Sequence, residues 1–356
     1  MYGNGQQMNK IGALRILAAS VFVGNVLASS HGLAHHALIA YDNSRTIELR
    51  GVIEEVFWAN PHVRLVVRAA DDTLWGLEGP PVNRMERDSG IRREFFPVGE
   101  EAVFTGLPSR RGEPRMRPIL AHLNSGQTIV MERQRVERLG LLDELAERPA
   151  LDSEQIEEAI RNANGIFRVW SNVGRTQVRP PDAGLPLTDA ARAAKESWVQ
   201  EEDDPLLRCE PAGLPEAMLT PFPMEIIDEG DTITVWLEEW DNDRTIHMRG
   251  DAGRGNHASS HLGHSVGRWE DGVLVVNTTD IDHPYMDDLG TPLSGAAEII
   301  ERFEMSKDET RLDWSATVFD PDTFSEPVAL PIMHFEWQPG TQIKPYNCTV
   351  YPGQRS

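Results

Sequence analysis

The chain has 356 residues, with 34 Lys and Arg against 56 Asp and Glu and a formal net charge of −22. A field of that sign repels nucleic acid and anionic lipid, so neither is an expected partner. Beyond the first 34 residues no stretch approaches the roughly 18 uncharged apolar residues of a membrane span, so no transmembrane segment is expected there.

The N-terminus carries Lys10 and Arg15, an apolar run from Ile16 to Leu27 interrupted by Asn25, and the small-residue stretch Ser29, Ser30, Gly32, Leu33, Ala34. That order reads as the positive region, apolar region and cleavage site of a secretory signal peptide over residues 1–34. The run falls short of the ~20 residues a spanning helix needs. Cleavage after Ala34 places the mature chain in the periplasm or outside the cell. In that oxidising compartment the two cysteines, Cys209 and Cys348, are expected to form one disulfide.

Residues 35–131 read as a small β domain. Strands are predicted at Thr46–Trp58, His62–Arg68, Thr73–Leu77, Glu101–Gly106 and Met116–Val130, the last broken at Ser125-Gly126, with a short helix at Val82–Asp88. Five strands and one small helix suggest a barrel of the oligosaccharide/oligonucleotide-binding (OB) type. Over residues 132–164 the period turns helical. Leu139, Leu142 and Leu145 recur on one face, and Asp152 with Gln155 resembles an N-cap and its partner. This is the expected connector.

Residues 165–356 form the second predicted domain. Pro180–Pro223 is Pro-rich and acidic with one helix at Thr188–Val199. Strands follow at Glu225–Ile227, Thr232–Trp240, Arg244–Arg249, His264–Glu270, Val273–Thr279, Glu298–Met305, Arg311–Phe319 and Val328–Trp337. The chain is thus mainly β, and these eight strands predict an antiparallel eight-stranded (lipocalin-like) barrel or sandwich. Such a barrel holds one small ligand.

Asp271-Gly272 is a strong two-residue hairpin signal. Counting outward from it pairs Trp269 with Leu274, Gly267 with Val276 and Ser265 with Thr278. His264, Arg268, Asn277 and Thr279 then share the other face, as expected of a polar lumen in which Arg268, Asn277 and Thr279 bind a ligand. In the strand Glu298–Met305, Glu301 falls in the apolar row of Ile299, Phe303 and Met305. A carboxylate there must be paired or protonated. It is either an acid/base or metal-ligand partner for His264 or one half of a structural ion pair with Arg268 or Arg244.

Two histidine groups are candidate metal sites. Signal cleavage would leave His35 as the first residue, where its α-amine and imidazole chelate a metal together with His36, and His62 is the nearest candidate for a further nitrogen. Such a nitrogen set suits copper. The second group is His257, His261 and His264 with Asp280, Asp282 and His283, a mixed set open to copper or zinc. No nucleophile elbow, phosphate loop, dinucleotide fingerprint, His-Glu-x-x-His or Cys-x-x-Cys occurs.

The stretch His35-His36-Ala37-Leu38, then Leu49-Arg50-Gly51-Val52, then Trp58-Ala59-Asn60-Pro61-His62-Val63 resembles the opening of an uncharacterised family of exported bacterial proteins, the domain of unknown function numbered 6152. The likeness spans roughly Ala34 to Val130. The C-terminal half is similar to a second uncharacterised exported module through Asp204-Pro205-Leu206-Leu207-Arg208-Cys209, Gly263–Glu270, Leu274–Thr278 and Glu301-Arg302-Phe303. The resemblance implies export, two modules and a Cys209–Cys348 pair, and names no reaction. This chain departs from the second module at Glu298, where a histidine is expected, and in its histidines before His264.

Three functional expectations follow. The first is an exported protein that binds a small molecule or a copper-like ion through a His/carboxylate site. The second is a hydrolase, lyase or isomerase acting on a small apolar molecule through His264 and Glu301. The third is a non-catalytic scaffold that docks a partner.

Overall fold

The computed structural model describes residues 41–140, 149–172, 184–249 and 258–352, all within one unit, Leu33–Ser356. The first sheet contains β1 (Ile47–Phe57), β2 (Arg64–Ala69), β3 (Leu74–Glu78), β4 (Glu101–Pro108), β5 (Arg115–Leu123) and β6 (Thr128–Val130). Their order is β3-β2-β1-β4-β5-β6, and β3 also pairs with β5 in parallel, which closes five strands into a barrel. Leu49, Gly51 and Ile53 of β1 point inward while their neighbours face solvent. Gly51 is required there, because a Cβ would lie 2.4 Å from the Arg68 carbonyl oxygen on β2. Helix α1 (Val82–Ser89) contributes Met85 to the core beside Phe96 and Phe104.

Helices α2 (Arg133–Arg138) and α3 (Ser153–Asn162) follow. Asp152 caps α3 by accepting from the Glu154 and Gln155 amides at 2.8 and 3.2 Å, which satisfies two donors that a helix start leaves without partners. Leu139 is exposed, and Leu142 and Leu145 lie outside the described residues.

The second sheet runs through β7 (Val169–Trp170), β8 (Met224–Asp228), β9 (Thr232–Leu237), β10 (Asn242–His247), β11 (His264–Glu270), β12 (Val273–Thr279), β13 (Glu298–Met305), β14 (Arg311–Phe319) and β15 (Val328–Ala329), with β16 (Met333–Glu336) also on β14. The path is a curled nine-strand sheet. Strand β7 is an addition to the sequence reading, and the predicted Val328–Trp337 strand is two short ones. Strands β10 and β11 pair in parallel, so the sheet is not the succession of hairpins that the sequence suggested. Its ends meet where Ser171 and Glu336 exchange backbone hydrogen bonds of 2.9 and 2.8 Å. Trp170, Phe222, Phe303 and Trp314 pack the interior, each worth about 1.5–3 kcal/mol if fully removed from water. Cys209 and Cys348 form a disulfide across 139 residues, fastening the C-terminal tail to the loop that precedes β8.

Candidate functional site: a cavity between the two sheets

The seam between the modules is built from buried polar groups, several of which find partners across it. Asn60, in the Asn60-Pro61-His62 motif, donates to Asn83 Oδ1 at 3.1 Å and to the Tyr346 carbonyl, and its own carbonyl accepts from the Thr349 amide at 2.9 Å. Glu238, at the end of β9, is fully buried. It accepts from Asn83 Nδ2 at 3.1 Å, from the Lys344 amide at 3.0 Å and from Arg87 of α1. The chain reverses just after it with Trp240 and Asp241 at φ of 65° and 51°, a left-handed conformation that is an outlier for a bulky residue. Asp241 supports the turn by accepting from the Tyr346 and Asn347 amides at 2.7 and 3.2 Å, and the Tyr346 ring sits 5.1 Å from that of Trp240.

This reversal forms one wall of a cavity of about 130 Å³, well above the ~10–15 Å³ needed to admit one water molecule. The first module contributes His62, Arg84, Arg117 and, from α2, Arg133, Arg135 and Arg138. The second contributes Leu206, Ala212, Glu216, Phe222, Glu239, Trp240 and Asp288. Two motifs noted in the sequence thus converge here, Asn60-Pro61-His62 and the Asp204–Cys209 segment that carries Leu206.

The two walls differ in charge. Burial, and then the carboxylates of Asp288, Asp204 and Asp287, push Glu216 well above the usual range. Burial and Asp288 push Glu239 up to about 8, against the opposing pull of Arg84 and a hydrogen bond from Thr220. On the first module's side burial acts in the same sense on Glu132, but the guanidiniums of Arg117 and Arg135 outweigh it and hold that carboxyl below the usual range. Two residues that line the cavity each carry a buried atom, Arg117 Nη1 and Glu216 Oε1, with no hydrogen-bond partner. Such an atom costs about 1–3 kcal/mol until something pairs with it.

The structure distributes the residues singled out from sequence among several places. His62 lines the cavity, its Nδ1 3.4 Å from Glu78 Oε1. His35, His36 and His257 lie outside the described residues. His261 and His283 come together, close enough for His261 to depress His283. Burial, then His261, lowers His283 to about 4, and burial lowers His261 as well. His261 Nε2 meets Asn242 Oδ1 at 2.8 Å. Gly213 permits this packing, since a Cβ there would lie 2.4 Å from the His283 side chain. His264 is elsewhere, stacked on His247 with centroids 4.8 Å apart. Asp280 accepts from Thr279 at 2.9 Å, and Asp282 lies 3.5 Å from Ser259 Oγ. Among the described residues no three His, Cys, Asp or Glu side chains gather as a metal-holding group.

The hairpin register is the one counted from Asp271-Gly272, but the roles of its two faces are reversed. Ser265, Gly267, Val276 and Thr278 face the interior, while Arg268 is exposed. Arg268 pairs with Glu270 at 2.7 Å and Asn277 donates to Glu298 at 2.8 Å. His264 and Thr279 share that outer face. Glu301 is on the opposite face of the sheet from His264, so the two are not brought together as an acid/base pair. Arg244 and Glu301 are buried against each other. Arg244 also donates to Ser265 Oγ at 3.0 Å and Thr278 Oγ1 at 2.7 Å, and Trp314 Nε1 donates to Glu301 at 3.0 Å. The carboxylate is therefore fully engaged inside the core. The structural ion pair is the reading this geometry supports, with Arg244 rather than Arg268 as partner.

Glu216, Glu239 and the α2 arginines were not among the residues singled out from sequence. The available signal was the clustering of the resemblance motifs, whose common meeting point only the fold reveals. No helix among the described residues is long and apolar enough to cross a membrane. No curated protein matches the chain. Residues 25–116, which include β1 to β4 and the Asn60-Pro61-His62 wall of the cavity, match the model of a family of unknown function (DUF6152).

Proposed function

We propose that the chain is an exported protein that binds a small molecule in the cavity between its two modules. Export is supported by the signal-like N-terminus together with the Cys209–Cys348 disulfide. The binding reading rests on one observation. Arg117 and Glu216, from different modules, are both buried, both line the same cavity, and each carries a buried polar atom without a protein partner. A fold optimised only for stability avoids such atoms.

Native mass spectrometry of protein from the exported fraction, compared with the denatured spectrum, tests this. The expected result is a small molecule bound one to one. Arg138→Trp, which adds bulk at an exposed position on the cavity, should release it without lowering the melting temperature much. Retention of the same molecule by that variant overturns the reading.

A second reading is favoured by Glu239. A carboxyl titrating at about 8 is poised for proton transfer near neutral pH, so the same cavity suits acid–base chemistry on its occupant. Glu239→Gln separates the two cases: a binder keeps its molecule unchanged, whereas a catalyst now accumulates it unconverted.

A further inference from the structure

We infer that the molecule held in the seam cavity is a small oxyanion, a carboxylate or a phosphate, whose oxygens meet the guanidiniums of Arg84 and Arg138. The inference rests on the cavity being the binding site and names the class of its occupant.

Five arginines line this one cavity, Arg84 from α1, Arg117 from β5 and Arg133, Arg135 and Arg138 from α2, in a chain that carries only 34 Lys and Arg against 56 Asp and Glu. Three of them are engaged within the first module. Arg117 and Arg135 share Glu132, and Arg133 lies 3.6 Å from Glu137. Arg84 and Arg138 have donors to spare. Arg84 comes within 3.7 Å of Asp88, one helical turn on, which is too long for a hydrogen bond, and it makes no other polar contact that would use its five N–H groups among the described residues. Its charge acts on Glu239, which lines the cavity from the other module. Arg138 Nε meets the Gln134 carbonyl at 3.4 Å, and its two terminal nitrogens have no hydrogen bond to a described residue. Guanidinium forks match carboxylate and phosphate oxygens in charge and in geometry.

The acids that line the cavity leave this pair available. Asp88, Glu132 and Asp288 each have a partner. Glu216 and Glu239 are held protonated near neutral pH, chiefly by burial and by Asp288, so they meet an anion as hydroxyl donors rather than as charges. A cation would instead face five guanidiniums. Glu239 also sets the pH range. Asp288, Glu238 and Glu216 surround it with carboxyls, Arg84 opposes them, Thr220 donates to it, and Tyr346 keeps its proton and adds no charge. Once ionised, Glu239 competes for Arg84 and repels the occupant, so anion affinity should fall as pH rises through about 8.

The test titrates benzoate, inorganic phosphate and, as the cationic counterpart, benzylamine into the dialysed full-length exported protein by calorimetry. One or both anions should bind one to one and benzylamine should not. Binding of benzoate alone identifies a carboxylate as the occupant, and binding of phosphate alone a phosphate. Arg84→Gln and Arg138→Gln should each weaken the bound anion about tenfold or more, as loss of a charged hydrogen bond implies. Arg92→Gln, which removes the same charge at an exposed position outside the cavity, should leave it unchanged. Should Arg84→Gln melt far below the parent, Arg138→Gln carries the comparison alone. Affinity should drop with rising pH in the parent and hold level in Glu239→Gln. The inference is overturned if neither anion binds, if benzylamine binds as tightly, if Arg138→Gln matches the parent or Arg92→Gln weakens binding as much, or if the parent's affinity does not fall through pH 8. A molecule seen in the native spectrum and lost from Arg138→Trp, yet cationic or uncharged, keeps the cavity reading and ends this one.

Discussion

Asn83 on α1 donates to Glu238 Oε1 on the far side of the seam at 3.1 Å, a contact across 155 residues of sequence that ties the closed barrel to the curled sheet. Glu238 also receives Arg87 and the Lys344 amide, so one buried carboxylate joins α1, the β9 turn and the C-terminal tail. Removing one partner of such a set leaves the others uncompensated, at a cost of roughly 3–5 kcal/mol. Glu238→Ala should therefore lower the melting temperature and divide a single calorimetric transition into two. Glu238→Gln, which can still accept from the Lys344 amide, should fall between it and the parent. An unshifted, single transition in Glu238→Ala would show that the seam is held by other contacts.

The Arg244–Glu301 pair makes an opposite pair of expectations for single and double changes. Glu301→Gln leaves the Arg244 guanidinium buried and under-compensated, so the urea midpoint should drop by an amount equivalent to roughly 3–5 kcal/mol. Replacing both residues, as in Arg244→Met with Glu301→Leu, removes the charges together and should recover much of that loss, because buried ion pairs are often no more stabilising than apolar isosteres. A Glu301→Gln protein as stable as the parent would instead argue that the carboxyl is not structural.

The Cys209–Cys348 bond closes a loop of 139 residues, for which the chain-entropy account gives about 4–5 kcal/mol at most. The tail it fastens carries Lys344, Tyr346 and Thr349, the residues whose backbone groups hold Glu238, Asp241 and Asn60. Cys348→Ser should thus lose stability and also loosen the cavity wall, seen as faster amide exchange at Trp240 and Asp241. Non-reducing mass spectrometry of the native protein should find no free thiol.

The sequence was most legible where neighbouring strands are joined by tight turns. The Asp271-Gly272 turn determines the pairing of β11 with β12, and the alternation in β13 correctly sets Ile299, Glu301 and Phe303 inside. What alternation cannot say is which of two mixed faces is the interior. Ser265 and Thr278 are polar yet buried, because Arg244 brings its own hydrogen-bonding needs into the core. His264 and Asn277 consequently look like a lumen and are not one. The cavity was illegible for a different reason. The contacts beside it join Asn60 to Tyr346 and Asn83 to Glu238, pairs 286 and 155 residues apart with no periodic pattern between them. Glu239 is hidden in what reads as the end of a strand, and only the reversal at Trp240 turns it toward the seam. Of the sequence candidates among the described residues, His62 alone lines the cavity.

The cavity's acids should also write themselves into the pH dependence of folding. Glu239 titrates at about 8 in the folded protein against an ordinary value of 4.5, and Glu216 is displaced in the same direction. Between those values the native state binds more protons than the unfolded chain, so each such group makes stability fall as pH rises from 4.5 through 8. His283 acts with the opposite sign. Its folded value of about 4 lies below the ordinary 6.5, so the unfolded chain takes up the extra proton and stability rises with pH across that interval. The two effects oppose each other below pH 6.5, whereas from 6.5 to 8 only the carboxyls act. Stability should accordingly decline over that upper window, by at most about 1.4 kcal/mol per pH unit for each acid. Glu239→Gln should flatten part of the decline and melt above the parent at pH 8.5, while matching it more closely at pH 5. A parent whose stability holds level or climbs between pH 6.5 and 8 would mean that these carboxyls are already ionised in the fold, and that the second module's wall meets its ligand as a charged one.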